Sequence, residues 1–252
     1  MKKRDIDLVV ISDVHLGTYG CHAAELLDYL GSIKPKTLIL NGDIIDGWQF
    51  KKSYFPKAHL DVIKKILAMS LKETKVYYLT GNHDEFLRKF TDFEIGNISL
   101  LNKVVLDLNG KKAWFFHGDV FDATIIKAKW LAKLGGWGYD MLILFNRFVN
   151  RILAFFKKPP YSLSKKIKGN VKSAVKFITN FETTCIELAI ENKYDYVVCG
   201  HIHEPKIQPT KTENGEVVYL NSGDWIENLT ALEFHKNSWS IYKHLVSNGK
   251  KS

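Results

Sequence analysis

The sequence holds little cysteine, and nothing in its spacing pairs it. Cys21, Cys185 and Cys199 are the three cysteines among 252 residues, far apart and odd in number, with no C-x-x-C. A disulfide framework is therefore not expected, and a reduced, cytosolic compartment is the simplest reading. A long unbroken apolar run is also lacking. The nearest is YDMLILFNRFVNRILAFFKKPP (139–160), which Asn146, Arg147, Asn150 and Arg151 interrupt, so it makes a poor membrane span. The opening MKKRDIDLVVISD has too few apolar residues for a signal peptide and reads as a first strand. No internal repeat and no low-complexity linker divides the chain, which suits one large α/β unit spanning 1–252.

What is present is a globular balance: 46% hydrophobic and 25% charged residues, enough to bury a sizeable core. The formal net charge of +9 favours an anionic partner, whether nucleic acid, a phosphorylated metabolite or an anionic membrane surface.

Short apolar runs read as buried strands, and most of them end in polar motifs. DLVVIS (7–12) leads into Asp13 and His15; TLIL (37–40) into NGDIID with Asp43; KVYYLT (75–80) into GNHD with Asn82. HAAELLDYLGSI (22–33) and HLDVIKKILAMSL (59–71) have helical spacing. SLLNKVVLDLNGKKAWFFHGD (99–119) reads as a hairpin with an Asn-Gly turn, ending in His117. YDYVVCGHIH ends in His201 and His203, and three antiparallel strands close the chain, GEVVYLNSGDW, TALEFH and SWSIYK. Between them lies a helical insertion, roughly 122–182.

In α/β sheets, sites collect at the carboxyl ends of strands, so these loops should converge. Gly42, Gly81 and Gly200 permit the sharp turns that expose a ligand there. Two Asp, one Asn and four His give nitrogen and oxygen donors without thiolate, which suits Mn, Fe, Zn or Co and is poor for Ca. The donors are too many for one ion and about right for two sharing a carboxylate, a known device for phosphoryl chemistry.

D-x-H, GDxxD, GNHD, HGD and GHxH, in this order, resemble the calcineurin-like metallophosphoesterases from residue 7 to about 225. The resemblance implies a four-layer α/β/β/α sandwich of two mixed sheets flanked by helices, with a helical cap insertion. It implies two divalent transition-metal ions, manganese first with Fe, Zn or Co acceptable. One ion would take Asp13, His15, Asp43 and His203; the other Asp43 as bridge, Asn82, His117 and His201. His83 would be the general acid or transition-state donor and Asp84 would orient it, with a metal-bridging hydroxide attacking phosphorus. Protein phosphatases carry GDxVDRG and GNHE, whereas GDIIDGW and GNHDEF stand here.

HGDVFD, YSLSKKIKGNVKSAVKFI within the insertion and LNSGDWIENLTALEF resemble the UDP-2,3-diacylglucosamine pyrophosphohydrolases of lipid A synthesis. One position departs: the best-known members have Arg after the metal Asn, and His83 stands here. The implied reaction splits a phosphoric anhydride, giving UMP and 2,3-diacylglucosamine 1-phosphate. The implied setting is cytoplasmic, peripheral on the inner face of the membrane. MLILFNRFVNRILAFF would cover acyl chains, as a lipid-facing helix or else as plain core. Asp122, Arg147, Ser164, Lys165, Lys168 and Lys172 are the candidate substrate contacts. Trp48 suits packing and base stacking equally, and Cys199 reads as core. Another phosphodiesterase or a nuclease is the alternative enzyme, though no aromatic–basic groove is legible for nucleic acid. A dead binding module is the alternative of another class, and such a module would be expected to lose ligands.

Overall fold

The computed structural model describes residues 3–49, 54–121 and 181–245. By packing, the chain divides into Met1–Asp119 with Cys185–Ser252 as one unit, and Val120–Thr184 as another. The candidate contacts Asp122, Arg147, Ser164, Lys165, Lys168 and Lys172 lie outside the described residues, as does almost all of the 122–182 insertion.

The larger unit is built on two mixed sheets. In chain order its elements are β1 (Arg4–Ile11), α1 (Ala23–Ser32), β2 (Ile33–Asn41), α2 (Lys57–Ser70), β3 (Lys75–Leu79), β4 (Phe93–Ile95), β5 (Ile98–Leu101), β6 (Lys103–Leu108) and β7 (Lys111–Phe116). Then follow β8 (Tyr196–Cys199), β9 (Lys206–Thr212), β10 (Gly215–Asn221), β11 (Thr230–His235) and β12 (Ser238–Lys243). The first sheet runs β12-β11-β1-β2-β3-β5-β4 and the second β6-β7-β8-β10-β9. β1, β2, β3 and β5 are parallel, as are β7, β8 and β10.

The continuous apolar runs are explained by burial on both faces. In β1, Leu8 and Val10 join one buried cluster with Ile39, Phe115, Val198 and Leu220, drawn from both sheets. Val9 and Ile11 join the other, with Leu26 and Leu30 of α1 and Val62 and Ile66 of α2. One core therefore sits between the sheets and one between the first sheet and its helices. Residues 181–191 are helical, and Ile190 meets the second sheet at Gly215. This is the expected α/β sandwich.

The structure differs from the sequence reading at Ser99–Leu101. These residues form β5 in the first sheet, parallel to β3, and only β6 and β7 form the hairpin of the second sheet. The apolar pattern runs on through Asn102, so alternation alone does not show where the chain changes sheets. The Asn-Gly turn is as read: Asn109 and Gly110 both have positive φ (57° and 87°), which matches the twist of a two-residue hairpin. β4 and β9 carried no signal that was read, being short and exposed or rich in Lys, Thr and Pro.

Candidate metal centre

Five loops meet where β1, β2, β3, β7 and β8 end. The β1 and β2 loops are laced by backbone bonds: Asp13 N to Gly42 O (3.1 Å), and Val14 N and His15 N both to Asp43 O (3.0 and 2.9 Å). Five of the candidate ligands stand in the left-handed region: Asp13 (φ 51°), His15 (54°), Asp43 (55°), His201 (68°) and His203 (54°). Such a conformation is uncommon for residues with a Cβ, and it clusters where surrounding structure holds side chains to a task.

The glycines make room more than they make turns. Of Gly42, Gly81 and Gly200, only Gly42 has positive φ, at 82°. A Cβ on Gly81 would stand 2.2 Å from Asp43 Oδ1 and 2.7 Å from Asp43 N.

Three sets of side chains converge within 4.8 Å: Asp13, His15 and His203; Asp43, His117 and His201; and His15, Asp43 and His83. The first two are the sets expected for two ions, Asp43 aside from the first. Asn82, next to His83 in the β3 loop, has its Oδ1 buried without a hydrogen-bond partner. The same holds for Asp13 Oδ1, His15 Nε2 and His117 Nε2. His203 Nε2 lies 3.1 Å from Asp13 Oδ1, and His117 Nε2 lies 3.2 Å from Asp43 Oδ2. At these separations a shared proton or a shared cation can serve both atoms of each pair. Buried polar atoms normally find partners. Here four of the unpartnered atoms are candidate donor atoms, and the imidazole, carboxylate and amide set fits divalent transition metals.

Three of the histidines, His15, His83 and His117, are held through Nδ1 from behind, as metal-binding imidazoles usually are. His117 Nδ1 donates to the Asn41 carbonyl (2.9 Å), leaving Nε2 for the centre. His15 Nδ1 contacts Asp46 Oδ2 (3.0 Å), and His83 Nδ1 contacts the same oxygen (2.9 Å). The other oxygen of Asp46 accepts Trp48 N (3.0 Å) and Gln49 N (2.6 Å). Asp46 was missed in the sequence, although it is the second Asp of GDIID. Asp84, expected to orient His83, does not contact its ring. It accepts Gly81 N (2.5 Å), Ile44 N (3.0 Å) and the Tyr78 hydroxyl (2.7 Å), and so ties the β3 loop to the β2 loop. Being adjacent in sequence, Asp84 turns away from His83, while Asp46 reaches it across the gap between loops. Trp48 packs on His83, ring centroids 4.4 Å apart. Cys199 is fully buried.

Electrostatics agree with a site built for positive charge. Burial opposes ionisation of Asp13, but His203, His117 and His15 hold it below the usual carboxylate range. Burial likewise opposes ionisation of Asp43, and His117 and His15 lower it. Asp46 resists its burial through its bonds to His15 and His83. Burial would lower His203, yet Asp13 beside it raises the imidazole to about 9. Against its burial, His117 is raised well above its ordinary value by Asp43 and Asp13. Without an ion, protons on these histidines balance the buried carboxylates; bound cations would displace them. Asp84 is raised, by burial and by Asp43, and Tyr78 is held neutral by burial and by Asp84.

Curated proteins resemble the chain along nearly its whole length. UDP-2,3-diacylglucosamine hydrolase of Aliivibrio fischeri (strain MJ11) is 25% identical over 250 residues, covering 94% of this chain and 98% of that protein. The protein of the same name from Blochmanniella pennsylvanica (strain BPEN) is 24% identical over 217 residues, covering 80% and 81%. Among solved structures, an E. coli phosphoesterase overlays with a TM-score of 0.46 at 14% identity, covering 92% of this chain and 90% of that one, too loose a likeness to bear weight. The sequence pattern of the calcineurin-like phosphoesterases matches residues 6–205, a span that takes in each of the five loops meeting at this centre, and the chain belongs to that family.

Proposed function

We propose that the chain is a dinuclear metal-dependent hydrolase that splits the phosphoric anhydride of UDP-2,3-diacylglucosamine into UMP and 2,3-diacylglucosamine 1-phosphate. The observation that carries the reading is the convergence of donor side chains from five loops, with Asp13 Oδ1, His15 Nε2, Asn82 Oδ1 and His117 Nε2 buried and without a hydrogen bond. The substrate rests on two relatives named UDP-2,3-diacylglucosamine hydrolase, aligned with most of the chain.

Asp13, His15 and His203 would hold one divalent ion, Asn82, His117 and His201 the other, with Asp43 serving both. Bound there, the ions supply a water of lowered pKa and positive charge against the phosphate oxygens. His83 stands beside this pair, its Nε2 4.0 Å from Asp43 Oδ2, the same distance as His15 Nε2. With Nδ1 engaged by Asp46, Nε2 is free to donate to a phosphate oxygen or to the leaving oxygen as the P–O–P bond breaks. Burial disfavours the charged His83 ring, but Asp46 and Asp43 raise its pKa, which favours the protonated donor. Where the best-known relatives place Arg, a His–Asp pair would thus supply the same hydrogen bond.

In this reading the 122–182 insertion covers the acyl chains. Asp122, Arg147, Ser164, Lys165, Lys168 and Lys172 contact the diphosphate and sugar. The basic chain works on an anionic cytoplasmic membrane face without spanning it. Among the described residues no helix is long and apolar enough to cross a membrane. The test is a substrate panel with manganese present, read by UMP and phosphate release. UDP-2,3-diacylglucosamine should give UMP far faster than single-stranded DNA gives nucleotides. The reverse order would move the chain to a nuclease role, and no turnover of either would favour a binding module.

A further inference from the structure

The loop between β10 and β11, Ser222 to Leu229, lies beyond the family match, which ends at residue 205. It nevertheless reaches back to two ligands of one ion. Trp225 N donates to the Asp13 carbonyl (3.1 Å). Asn228 Nδ2 donates to the His203 carbonyl (2.7 Å) and to Asp224 Oδ2 (2.6 Å). Both neighbours of that amide can only accept, so its nitrogen must face them. We propose that Asn228 is a positioning residue for the ion held by Asp13, His15 and His203, setting that site's affinity by fixing the His203 backbone; this rests on the two-ion reading above.

The bracket is rigid at its far end. Asp224 is fully buried, and its Oδ1 accepts the N–H groups of Ile226 (2.8 Å), Glu227 (2.5 Å) and Asn228 (3.2 Å). The loop is therefore a closed turn that hands one side-chain donor outward. What it holds needs holding. His203 stands at φ 54°, a conformation that an unrestrained residue with a Cβ leaves readily. Its side chain is 37% exposed, against 6% for His15 and none for His117, so packing restrains it least of these three. Rotation of the 203 peptide would swing the ring away from Asp13, which now lies 3.1 Å from Nε2. Partners behind a metal ligand typically set affinity by about 10- to 100-fold. Among the described residues, the hydrogen bonds of Asn228 run to Asp224 and His203, so the effect should be confined to one ion.

The experiment titrates the full chain with Mn²⁺, by calorimetry for affinity and by EPR for the coupled pair. Wild type should bind two ions. Asn228→Ala should weaken one site about 10- to 100-fold and leave the other close to wild type, with the coupled EPR signal giving way to that of an isolated ion. Asn228→Gln, which keeps the amide donor, should recover part of the loss. Melting in EDTA separates a structural role: equal weakening of both sites together with a lower metal-free Tm would overturn the proposal. If the alanine variant does not fold, Asn228→Ser is read in its place, since its shorter side chain withdraws the amide that donates to the His203 carbonyl. Two ions in wild type with both affinities unchanged in the variant would remove this inference alone. Fewer than two in wild type would remove the two-ion reading and this inference with it.

Discussion

Replacing Asp46 by Asn tests the link between the metal centre and His83. Asp46 is 1% exposed, and one of its oxygens serves the Nδ1 atoms of both His15 (3.0 Å) and His83 (2.9 Å). The amide has nearly the same shape, so the fold should survive while the charge disappears. A hydrogen bond to a charged group contributes about 1.5–3 kcal/mol. Losing that much transition-state stabilisation at His83 lowers kcat about 10- to 150-fold. Loss of the His15 contact should weaken metal binding about 10- to 100-fold, so assays need saturating manganese. The pH profile carries a second signature. Burial alone would lower the His83 pKa, and the bond to Asp46 is the chief influence raising it. A group that must be protonated to donate loses activity as pH rises through its pKa. Removing Asp46 lowers that pKa, so the basic limb of the kcat profile should move to lower pH. Wild-type kcat with an unmoved basic limb, at saturating metal, would show that Asp46 does not support His83.

Gly81→Ala should abolish tight metal binding in a folded chain, because its Cβ would stand 2.2 Å from Asp43 Oδ1; calorimetry against Mn²⁺ reads it. Metal-free protein should lose stability as pH rises through about 9, because His203 is raised to that value against an unfolded pKa of about 6.5. The contribution is whole below pH 6.5, and melting in EDTA from pH 6 to 10 should show the decline, which added metal should remove. For the acyl-cap reading, Leu144→Asp with Phe148→Asp, both outside the described residues, should lower kcat/KM for the diacylated substrate while hydrolysis of a small phosphodiester survives. Equal loss on both substrates would make that helix plain core.

Much of the site was legible because each donor follows an apolar strand. Strand ends are where a parallel sheet delivers side chains to one edge, so DVH, NGDIID, GNHD, HGD and GHIH could be assembled without coordinates. What could not be read was the contact map behind the ligands. Sequence adjacency suggested Asp84 for His83, but backbone geometry sends Asp84 to Gly81, Ile44 and Tyr78 and brings Asp46 across instead. The purpose of Gly81 was equally hidden, since its lack of a side chain matters to Asp43, 38 positions away in sequence. In the fold, β1 and β2 announced themselves by runs buried on both faces. The passage from β5 to β6 did not, because the apolar alternation continues through Asn102 while the chain changes sheets.

Elemental analysis of the purified, manganese-loaded chain tests the central claim most directly, compared with Asp43→Ala prepared in the same way. Asp43 is buried and lies within reach of His15, His83 and His117, which places one carboxylate between both donor sets. The account predicts two divalent ions per wild-type chain and loss of both from the folded variant, along with its hydrolytic activity. Two ions retained by an active Asp43→Ala protein would contradict it.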